Sequence, residues 1–220
     1  MESGQTLRLE DGRTLGYAEC GDPSGRPLLH FHGSSGSRLE RPVQLEVLAG
    51  LRLVTIDRPG HGLSDFQPDR TLLDWPGDVV ALADHLGLER FAVSGWSAGG
   101  PHALVCAYGI PERLTAVGVI SGLGPHDRPA ATAGMDRTNK VALAMARRAP
   151  WAVFRQLLRV MGRTFAKDPE GTARRRFASM PAADRQALGD RQATDMLIAS
   201  MVESFRPGSD GSAWELRLLT

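Results

Sequence analysis

A serine flanked by small residues, at the junction between an apolar run and a helical pattern, is the feature that most constrains how this chain can fold. The segment reads Gly95-Trp96-Ser97-Ala98-Gly99. The apolar run 91–94 before it predicts a buried strand, and residues 98–108 after it read as a helix. A chain that passes so abruptly from strand to helix is crowded at the turn, and Gly95 and Gly99 supply the small neighbours that this crowding demands. The segment therefore predicts a tight turn with Ser97 exposed at its tip.

Apolar runs alternate with helical patterns along the first 125 residues. The predicted strands are 27–31, 51–56, 91–94 and 115–120, and the predicted helices are 39–48, 72–86 and 98–108. The strands are apolar throughout, which is typical of parallel strands covered on both faces. A hairpin is predicted before them over 5–20, because the turn pair Asp11-Gly12 separates two strand-like segments. The predicted fold class is α/β, with an N-terminal hairpin and then parallel strands flanked by helices.

The pattern changes after Pro125. Residues 1–127 hold 10 basic and 16 acidic side chains, whereas residues 128–220 hold 16 and 9, so the net charge switches from −6 to +7. Beyond residue 130 we find helix-like segments separated by Gly and Pro, and no strand-like run. We therefore predict a core over 1–125 and a helical cap over 126–220, with the last strands of the core absent. Two solvated surfaces of different composition would also explain the charge switch by itself.

Overall composition narrows the classes of function. The net charge of +1 gives no global indication of a nucleic-acid or anionic-membrane partner. No apolar run approaches the roughly 18–20 residues of a membrane span, and no signal peptide is visible, so a cytoplasmic location is expected. Cys20 and Cys106 form neither a disulfide framework nor a metal-ligand spacing. We expect no metal and no cofactor.

Ser97 has the setting that a nucleophilic serine requires. A hydroxyl is a weak nucleophile and needs an exposed position, a base, and two donors for the oxyanion that it creates. The Ala98 N–H, at the start of the following helix, is the first expected donor. The second is expected from the glycine-rich segment 32–36, at the Ser34 N–H, because Gly33 lets the backbone approach closely. The alternative for this segment is a tight turn without a catalytic role.

Two neighbouring side chains have open roles at this stage. His32 either holds the oxyanion segment through a side-chain hydrogen bond or touches the substrate. Trp96 is expected to pack under the following helix rather than to shape the site. Gly33, Gly95 and Gly99 are supporting residues, because each permits a close backbone approach.

Three segments together resemble a known family. They are His32-Gly33-Ser34-Ser35-Gly36, Asp57-Arg58-Pro59-Gly60-His61-Gly62-Leu63-Ser64-Asp65 and Gly95-Trp96-Ser97-Ala98-Gly99-Gly100. In order and spacing they resemble α/β-hydrolase-fold enzymes of the esterase, lipase and aminopeptidase type, and the resemblance covers residues 5–125. It implies a serine hydrolase that acts on a small-molecule ester or amide, with no nucleic-acid or membrane partner. In the middle segment it implies that Asp57 and Asp65 hold turns.

The resemblance leaves the exact reaction open. Serine at the nucleophile position argues against the haloalkane dehalogenases and epoxide hydrolases, which use aspartate there. Carboxylesterase, lipase-like acyl hydrolase, proline-type aminopeptidase and carbon–carbon bond hydrolase remain alternatives within the family. A non-catalytic ligand-binding protein on the same fold is the alternative outside enzymes.

The acid and base of the family's triad have no obvious counterpart. The family's order is Ser, then Asp or Glu, then His, yet none of the six histidines lies in the last 94 residues. We expect a chain truncated before the acid and the histidine, and therefore inactive by itself. The alternative is a complete chain that uses His126 as the base, with the adjacent Asp127 as the acid.

Overall fold

The computed structural model describes residues 4–125, 132–135, 137–178, 182–187 and 191–220, and its strands form a mixed sheet. The strands are β1 (Gln5–Arg8), β2 (Thr14–Gly21), β3 (Arg26–Phe31), β4 (Leu51–Ile56), β5 (Phe91–Trp96) and β6 (Leu114–Ile120). Their order across the sheet is β1-β2-β4-β3-β5-β6. β2 pairs antiparallel with β1 and β4, whereas β3 pairs parallel with β4 and β5, and β5 with β6. The predicted α/β class, the hairpin and the parallel strands are confirmed.

The helices lie between the parallel strands and after the last of them. They are α1 (Trp75–His85), α2 (Gly99–Gly109), α3 (Arg137–Arg148), α4 (Trp151–Lys167), α5 (Pro169–Ala178), α6 (Ala182–Ala187), α7 (Arg191–Ser204) and α8 (Asp210–Leu218). The helix predicted over 39–48 is wrong in extent, because only the 3-10 turn Leu45–Leu48 forms. Pro42 cannot donate a backbone hydrogen bond within a helix, and the Glu40 side chain is engaged by the loop after β3.

The apolar strands meet α1 and α2 in the main core. Leu29, Phe31, Val54 and Val93 are fully buried, and the Phe31 ring contacts the Trp75 ring edge-on at a centroid distance of 5.2 Å. A second cluster joins α3, α4 and α8; its buried members are Ala146, Phe154, Leu158 and Ala213. The division into a core over 1–125 and a helical cap over 126–220 stays a prediction. None of the helices that the structure describes is both long and apolar enough to span a membrane.

The register of the parallel strands brings several loops to one edge of the sheet. Phe31 pairs with Ile56 and with Gly95, and Trp96 pairs with Ile120, so these strands end side by side. Ligands of open α/β sheets bind beyond the carboxyl ends of the strands, and this edge is therefore where a site is expected.

Candidate active site

Ser97 lies at a strained turn between β5 and α2. Its φ of +52° is in the left-handed region, which non-glycine residues seldom adopt. The surrounding backbone holds this conformation, because the Ser97 N–H donates to the Ile120 carbonyl at 2.9 Å and the Ser97 carbonyl accepts from Gly100 and Leu123. Strain of this kind persists only where its surroundings determine it, and it is concentrated at functional sites. The predicted turn, with Ser97 at its tip, is what the structure contains.

The glycines on either side of Ser97 permit close backbone contacts that a side chain at either position would block. A Cβ atom at Gly95 would lie 2.0 Å from the Gly99 carbonyl oxygen, and one at Gly99 would lie 2.1 Å from the Phe31 carbonyl oxygen. α2 therefore begins in direct backbone contact with the ends of β3 and β5.

We expect Gly99→Ala to lower the free energy of unfolding by about 3 kcal/mol. The new methyl group would clash with the Phe31 carbonyl oxygen, which is held in place at the end of β3. Gly77→Ala is the matched control, since nothing lies within 4 Å of a Cβ atom at that position in α1. There alanine should stabilise the protein by about 0.5–1 kcal/mol through better helix propensity. Urea unfolding of both variants checks the difference, and equal midpoints would contradict the packing argument.

The glycine-rich loop after β3 lies beside Ser97. A Cβ atom at Gly33 would be 3.7 Å from the Ser97 Cβ atom and 3.1 Å from the Trp96 ring. The Gly33 N–H donates to the Glu40 carboxylate, with both oxygens at 3.2 Å, and is not free for an oxyanion. The N–H groups of Ser34 and Ala98 donate no hydrogen bond within the described part of the chain. These are the two donors that the sequence predicts.

His32 faces the protein interior. Its Nε2 atom accepts from the Arg58 N–H at 3.3 Å, so Nδ1 carries the proton and donates to the Gly33 carbonyl at 2.8 Å. Burial, and then the positive charge of Arg58, hold the pKa of the His32 imidazole well below its ordinary value. Of its two open roles, this neutral side chain has the contacts that hold the loop.

Of the two aspartates of the middle segment, Asp57 holds the turn that follows it, as predicted, whereas the Asp65 side chain joins the loop to the start of β2. Asp57 accepts from the N–H groups of Arg38 at 2.6 Å and Leu63 at 2.8 Å, and Asp65 accepts from the Thr14 N–H at 2.8 Å.

The expected packing of Trp96 under α2 is wrong. Side chains of a strand alternate between faces, and Gly95 is the residue of β5 that faces α2, so Trp96 is on the opposite face. Its side chain is 37% exposed and lines a cavity of about 310 Å³ together with His30 and Ser94. Ser94 Oγ is 2.9 Å from His30 Nδ1, and His30 Nε2 is 3.2 Å from Glu40 Oε1.

Sequence reasoning missed three buried or largely buried charged residues around the loop. Arg58 bonds the His32 and Gly33 carbonyls, Glu215 pairs with Arg58, and Glu40 takes the Gly33 N–H. Arg58 lies within a segment that the sequence analysis singled out, but nothing local marked Glu40 as a partner of Gly33 or Glu215 as a partner of Arg58.

A base for Ser97 is not found in the part of the chain that the structure describes. The Ser97 hydroxyl has no hydrogen bond to a histidine or carboxylate there, and His126 and Asp127 lie outside the described residues. His102 is buried, and its Nδ1 atom donates to the Ala98 carbonyl at 2.9 Å, so its contacts are those of a structural side chain. Within the same described ranges, no group of three or more His, Cys, Asp or Glu side chains could hold a metal ion.

Comparison with known proteins agrees with this geometry. A family model for the alpha/beta hydrolase fold matches residues 26–194. A proline iminopeptidase of Xanthomonas citri is 33% identical over 106 residues, which is 46% of this chain and 34% of that protein. An acetyltransferase component of the acetoin cleaving system of Pseudomonas putida is 34% identical over 115 residues, which is 51% of this chain and 31% of that protein. The matches thus span about a third of these relatives.

Solved structures share the fold over nearly the whole chain. A hydrolase from Pseudomonas aeruginosa superposes with a TM-score of 0.63 at 18% identity, over 98% of this chain and 72% of that one. An esterase from a Rhodococcus species superposes with a TM-score of 0.58 at 22% identity, over 100% of this chain and 73% of that one. At such identities the likeness shows the fold alone.

Proposed function

Because the chain belongs to the alpha/beta hydrolase fold family, we propose that it carries the nucleophile and oxyanion hole of a serine hydrolase that acts on a small-molecule ester or amide. The observation that carries the proposal is the juxtaposition of Ser97, at a φ of +52°, with a loop whose Gly33 Cβ position is 3.7 Å from the Ser97 Cβ atom. The proline iminopeptidase relative, at 33% identity, supports an amide as one of the two bond classes. The helices of residues 137–218 are the proposed cap over the substrate.

In the proposed reaction the chain supplies the nucleophile, Ser97, and two backbone donors for the oxyanion. Ser97 Oγ attacks the carbonyl carbon and forms a carbon–oxygen bond, while its proton passes to a base and the carbonyl π electrons move onto the oxygen. The resulting oxyanion accepts hydrogen bonds from the Ser34 and Ala98 N–H groups. When the intermediate collapses, the bond to the leaving group breaks, and the leaving group takes the proton from the base. Water then hydrolyses the acyl-Ser97 ester.

The experiment that tests this proposal is labelling with a fluorophosphonate, which phosphonylates activated serines and releases fluoride. Because no base lies in hydrogen-bonding distance of Ser97 among the described residues, we expect a slow reaction. It should end at one label per chain, located at Ser97 by mass spectrometry, with no label on Ser97→Ala. Ser94→Ala is the matched control. It removes a hydroxyl from the same strand, but this hydroxyl bonds His30 and does not face the oxyanion loop. Labelling that persists in Ser97→Ala would refute the proposal.

A second candidate is a ligand-binding protein that keeps the fold without turnover. It is favoured by the lack of a base in hydrogen-bonding distance of Ser97 among the described residues. Loss of the base removes several orders of magnitude in rate and leaves what the oxyanion hole and binding supply, so we expect little turnover of an activated ester by these 220 residues. Robust turnover that His126→Ala abolishes would instead assign the base to His126.

A further inference from the structure

Arg58, in the loop after β4, is a fully buried cation that holds the loop after β3. Its Nη1 atom donates to the His32 carbonyl, and its Nη2 atom donates to the Gly33 carbonyl at 3.3 Å. The Gly33 oxygen also accepts from the His32 ring at 2.8 Å and from the Gly36 N–H at 3.1 Å. Donors from three residues therefore converge on this one carbonyl oxygen.

The direction of the Gly33 carbonyl decides where the Ser34 N–H points. A trans peptide is planar, and its C=O and N–H bonds point in opposite directions. An oxyanion donor must lie about 2.7–3.1 Å from the position of the developing charge, so a small rotation of this peptide removes the donor. Whatever holds the Gly33 carbonyl consequently aims the Ser34 N–H.

Glu215, on α8, holds the other side of the Arg58 guanidinium. Glu215 Oε2 is 2.6 Å from Nε and Oε1 is 2.6 Å from Nη2, and the side chains of Glu215 and Arg58 are only 1% and 0% exposed. Burial by itself would raise the pKa of the Glu215 carboxyl, but the Arg58 guanidinium holds that pKa well below its ordinary value. The contact is therefore a bidentate, buried ion pair, which fixes the plane of the guanidinium.

α8 reaches this position through close backbone packing against the loop after β4. A Cβ atom at Gly211 would lie 2.2 Å from the Gly60 carbonyl oxygen, and Ser212 Oγ is 3.3 Å from His61 Nε2. Two contacts besides the ion pair thus seat the first turn of α8 beside Arg58.

We propose that Glu215 is a positioning residue for the oxyanion hole: it fixes Arg58, which fixes the Gly33–Ser34 peptide next to Ser97. This inference rests on the proposed function, and it makes the reactivity of Ser97 depend on the docking of α8. Glu215 does not touch the substrate in this arrangement. It acts on the reaction by aiming a backbone donor.

The test compares fold and reactivity in the double variant Arg58→Met/Glu215→Met, which removes both buried charges together. We expect the variant to keep a cooperative thermal transition, while fluorophosphonate labels Ser97 about 100- to 1,000-fold more slowly, as loss of an oxyanion donor predicts. The 31P resonance of the phosphonyl-Ser97 adduct should also move, because its oxygen loses a hydrogen bond. Asp210→Asn, on the same helix, removes a pair with Arg155 on α4 and should label at the parental rate.

Each other outcome is decisive. A folded double variant with the parental labelling rate and 31P shift would show that the pair contributes to stability alone, and would overturn the inference. If the double variant does not fold, Glu215→Gln takes its place: it keeps the shape but not the charge, and unchanged labelling there would overturn the inference equally. A parental chain that never labels at Ser97 would instead refute the proposed function.

Discussion

Lowering the pH from 6.5 to 5 is expected to reduce the free energy of unfolding by several kcal/mol. Burial, with Arg58 nearby, lowers the pKa of His61 to about 4 and that of His102 to about 3, and it holds the pKa of His32 well below its ordinary value. All three imidazoles are therefore neutral in the folded protein across this range. In the unfolded chain they take up protons below about pH 6.5.

The sign of the effect follows from this difference in proton uptake. Because the unfolded state binds more protons than the folded state between pH 6.5 and 5, acid favours unfolding. Each histidine contributes a slope of about 1.4 kcal/mol per pH unit, and three together about 4 kcal/mol per pH unit. Since a domain has roughly 5–15 kcal/mol of stability in total, unfolding is expected before carboxylates titrate extensively.

Urea unfolding measured at several pH values between 7.5 and 5 gives this slope directly. His102→Gln should reduce it by about a third, because one of the three groups is removed. His85→Gln is the control, since that histidine is exposed. A slope that does not change in His102→Gln would contradict a neutral, buried His102.

Replacing Glu215 by alanine is expected to lower the free energy of unfolding by about 3–5 kcal/mol at neutral pH, because a fully buried guanidinium is left without its counter-charge. Arg70 Nη2 also lies 3.6 Å from Glu215 Oε2, so the loss affects two buried cations. Because the pKa of the Glu215 carboxyl is lowered in the folded protein, its contribution to stability is fully present at pH values above its unfolded-state pKa. That contribution is lost only as the pH falls through the folded-state pKa.

Two variants separate this effect from a general effect of altering α8. Asp210→Asn breaks a partly exposed pair with Arg155 and should cost less than about 1 kcal/mol. Arg58→Met/Glu215→Met should recover only the part of the lost stability that comes from Arg58, because apolar residues replace both charges of that pair while buried Arg70 still loses its counter-charge. Chemical denaturation at pH 7.5 measures all three. A loss in Glu215→Ala no larger than in Asp210→Asn would contradict the buried pair.

The residues at the carboxyl edge of the sheet show which features of the candidate site can be predicted from sequence. The strands and the turn at Ser97 were predictable because each depends on residues adjacent in the chain: an apolar run, two glycines, and a helical pattern. The N–H groups of the predicted donors, Ser34 and Ala98, donate no hydrogen bond to any of the described residues. The direction of Trp96 was not predicted correctly, although the alternation of side chains along β5 would have placed it on the face opposite Gly95.

The sequence by itself determined the α/β class, the hairpin, the parallel strands and the sharp turn at Ser97, because backbone geometry and hydrophobic periodicity act over a few residues. Only the tertiary structure decided which groups surround that turn. Glu215 meets Arg58 across 157 positions of sequence. Such pairs follow from the docking of whole elements, and no local pattern records which charged side chain will be buried against which. The turn at Ser97 was therefore evident from the sequence, whereas the residues that we propose to aim its oxyanion donor became visible only in the fold.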